Sequence, residues 1–462
     1  MRCVTARPGC TPAFTSIDFR DALVRRRARR RAATAAATGA PRDASRGRAR
    51  FRILVATGDV SGDAHAANLA CELARRGCEV VGVGGSRLEA AVGGAGQMLA
   101  NNAGMSSIGL LEALPLVVPT LVQQARVKRE ARERPLDAAV LVDYPGANLP
   151  LGGWLRRRAG WAPFPIVYYI PPNEWLWNRG RTPGLLRLCD AVLCAYSGEQ
   201  AYYAGEASAL GMRADKVAWV GHPVLDELHR AGFSADPEAK RAAKRVLVGG
   251  ASASSTSSDD PVVVALCPGS RAQELRLILP VLCRVAAQVA RELEGRGRAV
   301  RFVLPLPRAV SDLAPLVNLC LDSSGLSEQT TVWEGDSRAA LCGADIALAK
   351  SGTVNLELAL LRVPHLACYR VSPLSARVGR AMGMQPRFIS LVNVILDEAV
   401  VPEFVQEGMD DEDAMRDAAL QLLDHPEDIL EGFSRLAAHV GAPGAASRAA
   451  DAVISALEAQ QA

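Results

Sequence analysis

Two helix starts in the second half of the sequence carry groups suited to binding a phosphate and a ribose. The first, Pro268-Gly269-Ser270-Arg271, separates an apolar run from a helical stretch. Backbone amides at a helix start attract anions, and an arginine binds phosphate through two parallel hydrogen bonds and stays charged at any working pH. Gly269, Ser270 and Arg271 therefore predict a diphosphate site, where Arg271 would stabilise a departing diphosphate without a metal ion.

The second helix start, Ser351-Gly352-Thr353-Val354-Asn355-Leu356-Glu357, follows the apolar run 346–350. Ser351, Gly352 and Thr353 offer hydroxyl and amide donors there. Glu357 comes four residues after Thr353, so the two side chains share one face of a helix. The carboxylate of Glu357 could accept both hydroxyls of a ribose. The alternative interpretation is a capped helix start without a ligand.

In the first half, Asp143 ends the apolar run 139–143 and is followed by Tyr144-Pro145-Gly146-Ala147-Asn148. A carboxylate at the carboxyl end of a strand lies at the ligand-binding edge of an α/β sheet. A general base is needed at such an edge to deprotonate an attacking hydroxyl. Asp143 is therefore a candidate base, and the alternative is an N-cap for the next helix.

A glycine turn, Gly58-Asp59-Val60-Ser61-Gly62-Asp63, follows the first apolar run. It lacks the G-x-G-x-x-G fingerprint of a dinucleotide site. Its two aspartates would repel a pyrophosphate, so Asp59, Ser61, Gly62 and Asp63 predict contacts to sugar hydroxyls instead. The alternative is an Asp or Ser N-cap with glycines that allow tight packing.

Buried parallel strands would position these segments. From residue 51 the chain alternates short apolar, β-branched runs with amphipathic stretches long enough for helices, which is typical of βαβ units. Apolar residues make up 49% of the 462 residues, enough for a sizeable core. A helical stretch near 236–247 leads into a Gly/Ser-rich linker that ends at 260. The predicted strands are 51–57, 80–85, 138–143, 165–170, 191–196 and 217–221, then 261–268, 300–306, 344–350 and 365–370.

Charge is unevenly distributed along the chain. The net charge is +4, but residues 1–50 hold thirteen arginines against three aspartates, so the remainder is negative. Residues 1–50 are rich in Arg, Ala, Ser and Thr and poor in acids, which predicts an organelle transit peptide, with a plastid favoured over a mitochondrion. The alternative is a disordered basic tail. Because the positive charge lies in this segment, a nucleic-acid partner is excluded.

The remaining composition bears on metals and membranes. The eleven cysteines form no C-x-x-C pair and the six histidines are scattered, so we expect neither a metal site nor a cofactor. No apolar run reaches the roughly 18 residues of a membrane span. The apolar stretch 108–122 runs into Arg126, Lys128, Arg129, Arg132 and Arg134, which predicts peripheral binding to a membrane surface. Folding of this stretch into the core is the alternative.

In this order, the motifs resemble those of the lipid-A-disaccharide synthase family over about residues 52–440. The resemblance implies a GT-B fold, an α/β architecture of two doubly wound Rossmann-like domains facing a cleft. It implies an acceptor and membrane-facing domain at 51–235, a helix and Ser-rich linker at 236–260, and a UDP-sugar-binding domain with terminal helices at 261–462. The segments that carry it are 58–63, 82–87, 107–112, 142–143, 168–171, 175–177, 221–223, 268–271, 351–357, 369–370, Asn393 and 401–403.

The resemblance also implies an activity. The family is metal-independent and membrane-associated, and it transfers 2,3-diacylglucosamine from UDP-2,3-diacylglucosamine to 2,3-diacylglucosamine 1-phosphate, a lipid-linked sugar phosphate, releasing UDP. Asp143 matches the family's essential aspartate, and Arg271 matches an arginine near the donor phosphates. Segment 351–357 and Asn393 fall in its nucleotide-binding region, and Asn148 is assigned to the acceptor side. Whether the chain forms a homo-oligomer stays open.

The first half departs from the bacterial pattern of the family. Gly58-Asp59 stands where Gly-Glu is typical, and Tyr144-Pro145-Gly146-Ala147 precedes Asn148 where Ala-Pro-Asp-Phe is typical. These variants resemble cyanobacterial and plastid relatives. Two other functions stay open: a GT-B glycosyltransferase acting on another glycolipid, and a lipid- or nucleotide-binding paralogue without catalysis.

Overall fold

The computed structural model describes residues 50–461 except Asp59, 94–95, 102–116, 158–163, Trp177, 249–259, Pro307 and Met384. The predicted transit peptide and Ser-rich linker, together with Asp59, therefore lie outside the described residues. Residues Ala49–Ala462 form one compact unit, which contains two parallel sheets.

The first sheet has seven strands, and helices alternate with them along the chain. The strands are β1 (Arg52–Ala56), β2 (Glu79–Gly84), β3 (Gln97–Asn101), β4 (Ala138–Val142), β5 (Ile166–Tyr169), β6 (Ala191–Cys194) and β7 (Val217–Trp219). Their order is β3-β2-β1-β4-β5-β6-β7. The helices are α1 (Val60–Arg75), α2 (Ser86–Val92), α3 (Val117–Glu133), α4 (Pro145–Arg156), α5 (Thr182–Leu188), α6 (Ser197–Ala209), α7 (Val224–Ala231) and α8 (Pro237–Leu247).

The second sheet repeats this plan with six strands. The strands are β8 (Val262–Cys267), β9 (Val300–Pro305), β10 (Thr330–Trp333), β11 (Ile346–Lys350), β12 (His365–Tyr369) and β13 (Glu403–Val405). Their order is β10-β9-β8-β11-β12-β13. The helices are α9 (Ala272–Gly295), α10 (Ala314–Ser323), α11 (Ser337–Cys342), α12 (Thr353–Leu360), α13 (Pro373–Ala381), α14 (Leu391–Leu396), α15 (Glu412–Asp424), α16 (Glu427–Val440) and α17 (Ala445–Gln461).

The central strands are apolar on both faces because helices cover both sides of each sheet. In β1, Ile53 packs into the apolar cluster on one face of the first sheet and Leu54 into the cluster on the other face. Every residue of β4 and β8 is likewise buried. Strand order reverses between β1 and β4 and between β8 and β11, and ligands of open α/β sheets bind at such switch points, outside the carboxyl ends of the strands.

The ten strands predicted from the sequence are present, with ends shifted by at most two residues, and the predicted helix near 236–247 is α8. Strands β3, β10 and β13 were not predicted. All three are edge strands: β3 lies at one edge of the first sheet, and β10 and β13 form the two edges of the second sheet. The α/β prediction is confirmed.

The last helix connects the two halves. Residues Ala449, Val453 and Leu457 of α17 pack into the apolar cluster of the first sheet. The carboxylate of Asp226, in α7, accepts hydrogen bonds from the amides of Gly444, Ala445 and Ala446. The structure therefore differs from the sequence-based assignment of all of 261–462 to one domain, because the chain returns to the first sheet after α16.

Among the described residues, no helix is both long enough and apolar enough to span a membrane. The apolar stretch 108–122 is described only from Val117, where it enters α3. That helix packs through Val127 and Ala131, while Val118, Leu121 and Val122 are exposed. The described part of the stretch is thus not folded into the core.

Candidate active site

The candidate base Asp143 follows β4 at the switch point of the first sheet. Asp143 and Tyr144 both have left-handed backbone angles, with φ of 48° and 43°, which is uncommon for residues other than glycine and typical of functional sites. The carbonyl oxygen of Asp143 accepts hydrogen bonds from the Tyr168 hydroxyl and the Asn148 side-chain amide, each at 2.8 Å. Its carboxylate accepts the Tyr144 amide at 2.7 Å. These contacts fix the orientation of Asp143.

Gly58 and Tyr144 pack against each other at the same switch point. A Cβ atom at Gly58 would lie 1.9 Å from Cδ1 of the Tyr144 ring, which no side chain can tolerate. Glycine at position 58 therefore lets the Tyr144 ring cover the end of β1. The ring also lines a small cleft with Gln124 and Val127 of α3, so the cleft lies between the turn after β4 and the buried side of α3.

The side-chain amide of Asn148 ties the ends of the two central strands together. Its side chain is 2% exposed, and its Nδ2 donates to the carbonyl oxygens of Ala56, Val142 and Asp143 at 3.3, 3.0 and 2.8 Å. These carbonyls end β1 and begin the turn after β4. In the structure the buried amide of Asn148 is used by the backbone, and the acceptor-side contact assigned to it stays a prediction.

Asp63 also serves the backbone. Its buried carboxylate accepts the amides of Gly85, Arg87 and Leu88 at 2.6, 2.9 and 3.2 Å, which caps the start of α2. The sugar contact assigned to Asp63 stays a prediction. Ser61 and Gly62 lie in the first turn of α1, and Asp59 lies outside the described residues.

The 268–271 turn at the end of β8 is organised by a residue that the sequence analysis missed. Glu274 is 3% exposed, and its Oε2 accepts the amides of Ser270 and Arg271 at 2.8 and 3.2 Å. Gly269, at φ +122°, allows this fold, because a Cβ there would lie 2.1 Å from Oε2. The two amides expected to bind phosphate therefore bind Glu274. The Arg271 guanidinium, 3.0 Å from Glu274 Oε1, remains the candidate phosphate ligand.

A second cation lies beside Arg271. The ammonium of Lys350, the last residue of β11, is 3.1 Å from Glu274 Oε1. Lys350 was not among the predicted site residues, although it is a lone charge at the end of the apolar run 346–350, as Asp143 is at the end of its own run. Two cations thus flank one buried carboxylate at the switch point of the second sheet.

The predicted nucleotide-binding residues around α12 differ in their roles. The Ser351 hydroxyl donates to the Ile389 carbonyl at 2.6 Å, and the Gly352 amide donates to Asn355 Oδ1 at 3.0 Å. Thr353 is the first residue of α12 and is half-buried. The hydroxyl of Ser351 and the amide of Gly352 therefore shape this turn, and Thr353 is the donor residue that faces partly outward.

Asn393, predicted to lie at the nucleotide, is 1% exposed. Its side-chain oxygen accepts the amides of Val400 and Val401, and its Nδ2 donates to the Val401 carbonyl and to Glu403. All of these contacts tie α14 to the segment that ends at the first residue of β13. Asn393 therefore has a structural role, and the nucleotide contact assigned to it stays a prediction.

An ion-pair cluster joins the two halves at the same edge. Arg338 Nε donates to Glu357 Oε1 at 3.0 Å, and another nitrogen of Arg338 donates to Glu227. Glu227 in turn lies 3.1 Å from His65 Nδ1, in α1. Because α1 follows β1 and α12 follows β11, this cluster brings the carboxyl ends of the two central strands together.

Burial and charge act in opposite directions on the two carboxylates of this cluster. Burial raises the pKa of Glu357, and the Arg338 guanidinium only partly opposes this. Burial alone would also raise the pKa of Glu227, but its contacts with His65, Arg338 and Arg87 outweigh burial and lower it. Of these two carboxylates, Glu357 therefore depends more on Arg338 to remain ionised.

The described residues contain no group of three or more His, Cys, Asp or Glu side chains placed to hold a metal ion. Their cysteines are free thiols, all buried except the half-buried Cys71. Burial raises the pKa of Cys189 and Cys368 to about 12, so these thiols are protonated and act as small apolar side chains.

Comparison with known proteins identifies the family. A family model described as lipid-A-disaccharide synthetase matches residues 53–432. The chain belongs to the lipid-A-disaccharide synthase family. It is 35% identical to the lipid-A-disaccharide synthase of Gloeothece citriformis over 87% of this chain and 99% of the relative. It is 36% identical to that of Prochlorococcus marinus (87% and 98% covered) and 31% identical to that of Myxococcus xanthus (88% and 97% covered).

Solved structures show the same fold for this member of the lipid-A-disaccharide synthase family. UDP-GlcNAc 2-epimerase from Neisseria meningitidis, bound to UDP-GlcNAc, matches with a TM-score of 0.57 at 13% identity, covering 88% of this chain and 100% of that one. The calicheamicin glycosyltransferase CalG4 matches with a TM-score of 0.51 at 14% identity, covering 88% and 98%. The GT-B fold expected from the sequence is confirmed.

Proposed function

We propose that this chain carries out its family's reaction, the transfer of 2,3-diacylglucosamine from UDP-2,3-diacylglucosamine to 2,3-diacylglucosamine 1-phosphate. The observation that carries the proposal is the placement of a fixed carboxylate and a fixed guanidinium, Asp143 and Arg271, at the switch points of the two sheets. The match to lipid-A-disaccharide synthases over almost their whole length supports the choice of donor and acceptor.

In the proposed reaction, the carboxylate of Asp143 takes the proton of the acceptor 6-hydroxyl. The hydroxyl oxygen attacks the anomeric carbon of the donor sugar, and the bond between that carbon and the diphosphate oxygen breaks with inversion. The electron pair leaves with UDP, whose growing negative charge Arg271 stabilises. Preorganised donors of this kind each contribute about 3–4 kcal/mol to transition-state stabilisation.

The Asp143→Asn variant tests the role of the base. General base catalysis contributes about 10²- to 10⁴-fold, so we expect kcat to fall by that factor while UDP affinity is unchanged. The full chain is incubated with both lipid substrates, and UDP release is measured together with the lipid product by mass spectrometry. Asp215 is an exposed carboxylate paired with Arg213. The Asp215→Asn variant is the matched control and should leave kcat unchanged.

The outcomes separate the alternatives. A tetra-acylated disaccharide phosphate with one UDP per product supports the proposal, and near-normal kcat in Asp143→Asn contradicts the base assignment. UDP binding without product would favour another glycolipid acceptor, a result consistent with the structural role of Asn148. Absence of UDP binding would exclude a UDP-sugar transferase.

The proposal includes peripheral binding of α3 to an anionic membrane surface. Val118, Leu121 and Val122 are 67%, 57% and 51% exposed at positions i, i+3 and i+4 of one helix face. Further along α3, Arg126, Arg129 and Arg132 are exposed. An apolar stripe next to basic side chains suits the boundary between lipid headgroups and acyl chains.

We also place the protein in a plastid, as a proposal that rests on the Arg-rich, acid-poor composition of residues 1–50. Fusion of residues 1–50 to a fluorescent protein tests it, and a signal that stays in the cytosol would contradict it.

A further inference from the structure

Lys350 is a largely buried cation beside Arg271 that the proposed reaction does not yet use. Its side chain is 12% exposed, and its ammonium contacts Glu274 Oε1 at 3.1 Å. The same oxygen is contacted by Arg271 Nη1 at 3.0 Å. Among the described residues, Glu274 is the carboxylate within ion-pairing distance of Lys350. The negative charge that balances Lys350 is therefore shared with a second cation.

The position of the ammonium is also unfavourable in the field of a helix. A Cβ built on Gly352 would lie 3.5 Å from Lys350 Nζ, so the ammonium lies at the start of α12, where the helix carries a partial positive charge. Burial lowers the pKa of Lys350, and Glu274 does not fully offset this effect. An anion bound at this point would stabilise the ammonium.

A buried amide at the same helix start independently indicates a ligand. Asn355 is 0% exposed, and its Oδ1 accepts the Gly352 amide, so the side chain lies in the first turn of α12. Its Nδ2 has no hydrogen-bond partner among the described residues. Buried amide donors are nearly always paired in folded proteins. The first turn of α12 therefore holds, beside the Lys350 ammonium, a buried donor without an acceptor in the described part of the chain.

We infer that Lys350 is a second cation for the donor diphosphate, binding its non-bridging oxygens beside Arg271. This inference rests on the proposed function and extends it. When the bond between the anomeric carbon and the diphosphate oxygen breaks, the electron pair passes to the diphosphate. Lys350 transfers no proton in this step; its fixed charge stabilises the leaving group as the negative charge grows.

Binding of uridine and UDP to the Lys350→Met variant tests the inference. Uridine lacks the diphosphate, so its affinity should be unchanged, whereas the affinity for UDP should fall by about 10- to 100-fold, the usual effect of losing one charged hydrogen bond. Ligand-observed NMR follows the weak uridine binding and calorimetry follows UDP. Lys350→Arg, which keeps the charge, should recover part of the UDP affinity.

Lys244→Met is the matched control. Lys244 pairs with Asp345 at 2.7 Å and is 22% exposed, and Asp345 precedes the opposite, amino end of the same strand, β11. This variant removes an ion-paired lysine of α8 at the amino edge of the same sheet, without touching the carboxyl edge. We expect its affinity for UDP to equal that of the wild-type chain.

Each outcome decides the inference. Unchanged UDP affinity in Lys350→Met overturns it, as does an equal fall in uridine and UDP affinity, which would indicate a structural role. If Lys350→Met does not fold, Lys350→Gln is measured in its place and judged in the same way. Failure of the wild-type chain to bind UDP would instead refute the proposed function, so the two failures are distinguishable.

Discussion

Arg338 lies between Glu227 and Glu357 and contacts both. If Glu357 accepts the ribose hydroxyls, it must be ionised, and burial already raises its pKa. Replacing Arg338 by Gln removes the opposing positive charge, while Glu227 and Asp336 still raise the pKa of Glu357. We therefore expect the KM for the UDP-sugar to rise about 10- to 100-fold at neutral pH. Steady-state kinetics across pH 5–9 measure it.

Donor binding should also depend on pH, in a direction set by the titration of Glu357. Donor binding should weaken as pH falls through the pKa of Glu357, because the protonated carboxyl no longer accepts both hydroxyls. In Arg338→Gln the weakening should begin at a higher pH than in the wild-type chain. Glu357→Gln cannot titrate at this position, so its KM should be high and lack the acid-side change. An identical acid-side change in Glu357→Gln would show that another group is responsible.

Single residues also show how far the sequence could predict the site. Asp143 and Arg271 lie at the switch points where the sequence placed them, because a charged residue at the end of an apolar run has few other positions. Asp63, Asn148 and Asn393 were assigned to ligands but bind backbone groups. Short polar side chains near turns bind backbone amides and ligands equally well, and the sequence does not distinguish the two.

At the scale of elements, burial decides which strands the sequence reveals. Nine of the ten predicted strands are mostly buried, whereas β10 and β13 have no buried residue and β3 has one; β7, which was predicted, also has only one. Strands β3, β10 and β13 are edge strands, and the fourth edge strand is β7. An edge strand is covered on fewer sides, so it lacks the continuous apolar run that marks a central parallel strand.

The exposed face of α3 is the element for which we predict binding to an anionic membrane surface. Changing Val118, Leu121 and Val122 to Ser should lower binding to vesicles that contain anionic phospholipid by at least about tenfold, because each side chain contributes apolar area to the lipid boundary. Vesicle sedimentation measures the bound fraction. The variant should keep its kcat on detergent-solubilised substrates, since these side chains do not contact Asp143 or Arg271.

Leu319→Ser provides the control for α3. Leu319 is 64% exposed on α10, in the second half of the chain and without a basic cluster on the same helix. Its replacement should leave vesicle binding unchanged. If the α3 variant binds vesicles as well as the Leu319 variant does, α3 is not the membrane-binding surface.

At the scale of the whole molecule, the candidate base and the candidate phosphate ligands belong to different sheets. Their relative position depends on the elements that join the halves, chiefly the ion-pair cluster around Glu227 and the return of α17 to the first sheet. Neither could be predicted from local patterns. Asp226 and the amides that it binds are more than 200 residues apart in sequence, and no short-range periodicity records such a contact.

The Asp226→Ala variant tests this connection. Asp226 is 8% exposed, and its loss leaves the amides at the start of α17 buried without their acceptor. We expect the free energy of unfolding to fall by about 2 kcal/mol, near the upper end for an N-cap. Urea denaturation followed by circular dichroism measures the change. Asp451→Ala, on the exposed side of the same helix, should change the stability by less than about 0.5 kcal/mol.

The same variant should separate binding from catalysis. UDP contacts are proposed for the second half alone, so UDP affinity in Asp226→Ala should match that of the wild-type chain. Transfer needs Asp143 and the donor in register, and loosening of α17 lets the two sheets shift, so kcat should fall. A misplacement of about 1 Å can cost about 100-fold in rate. Equal stability of Asp226→Ala and Asp451→Ala, with an unchanged kcat, would show that α17 does not set the position of the two halves.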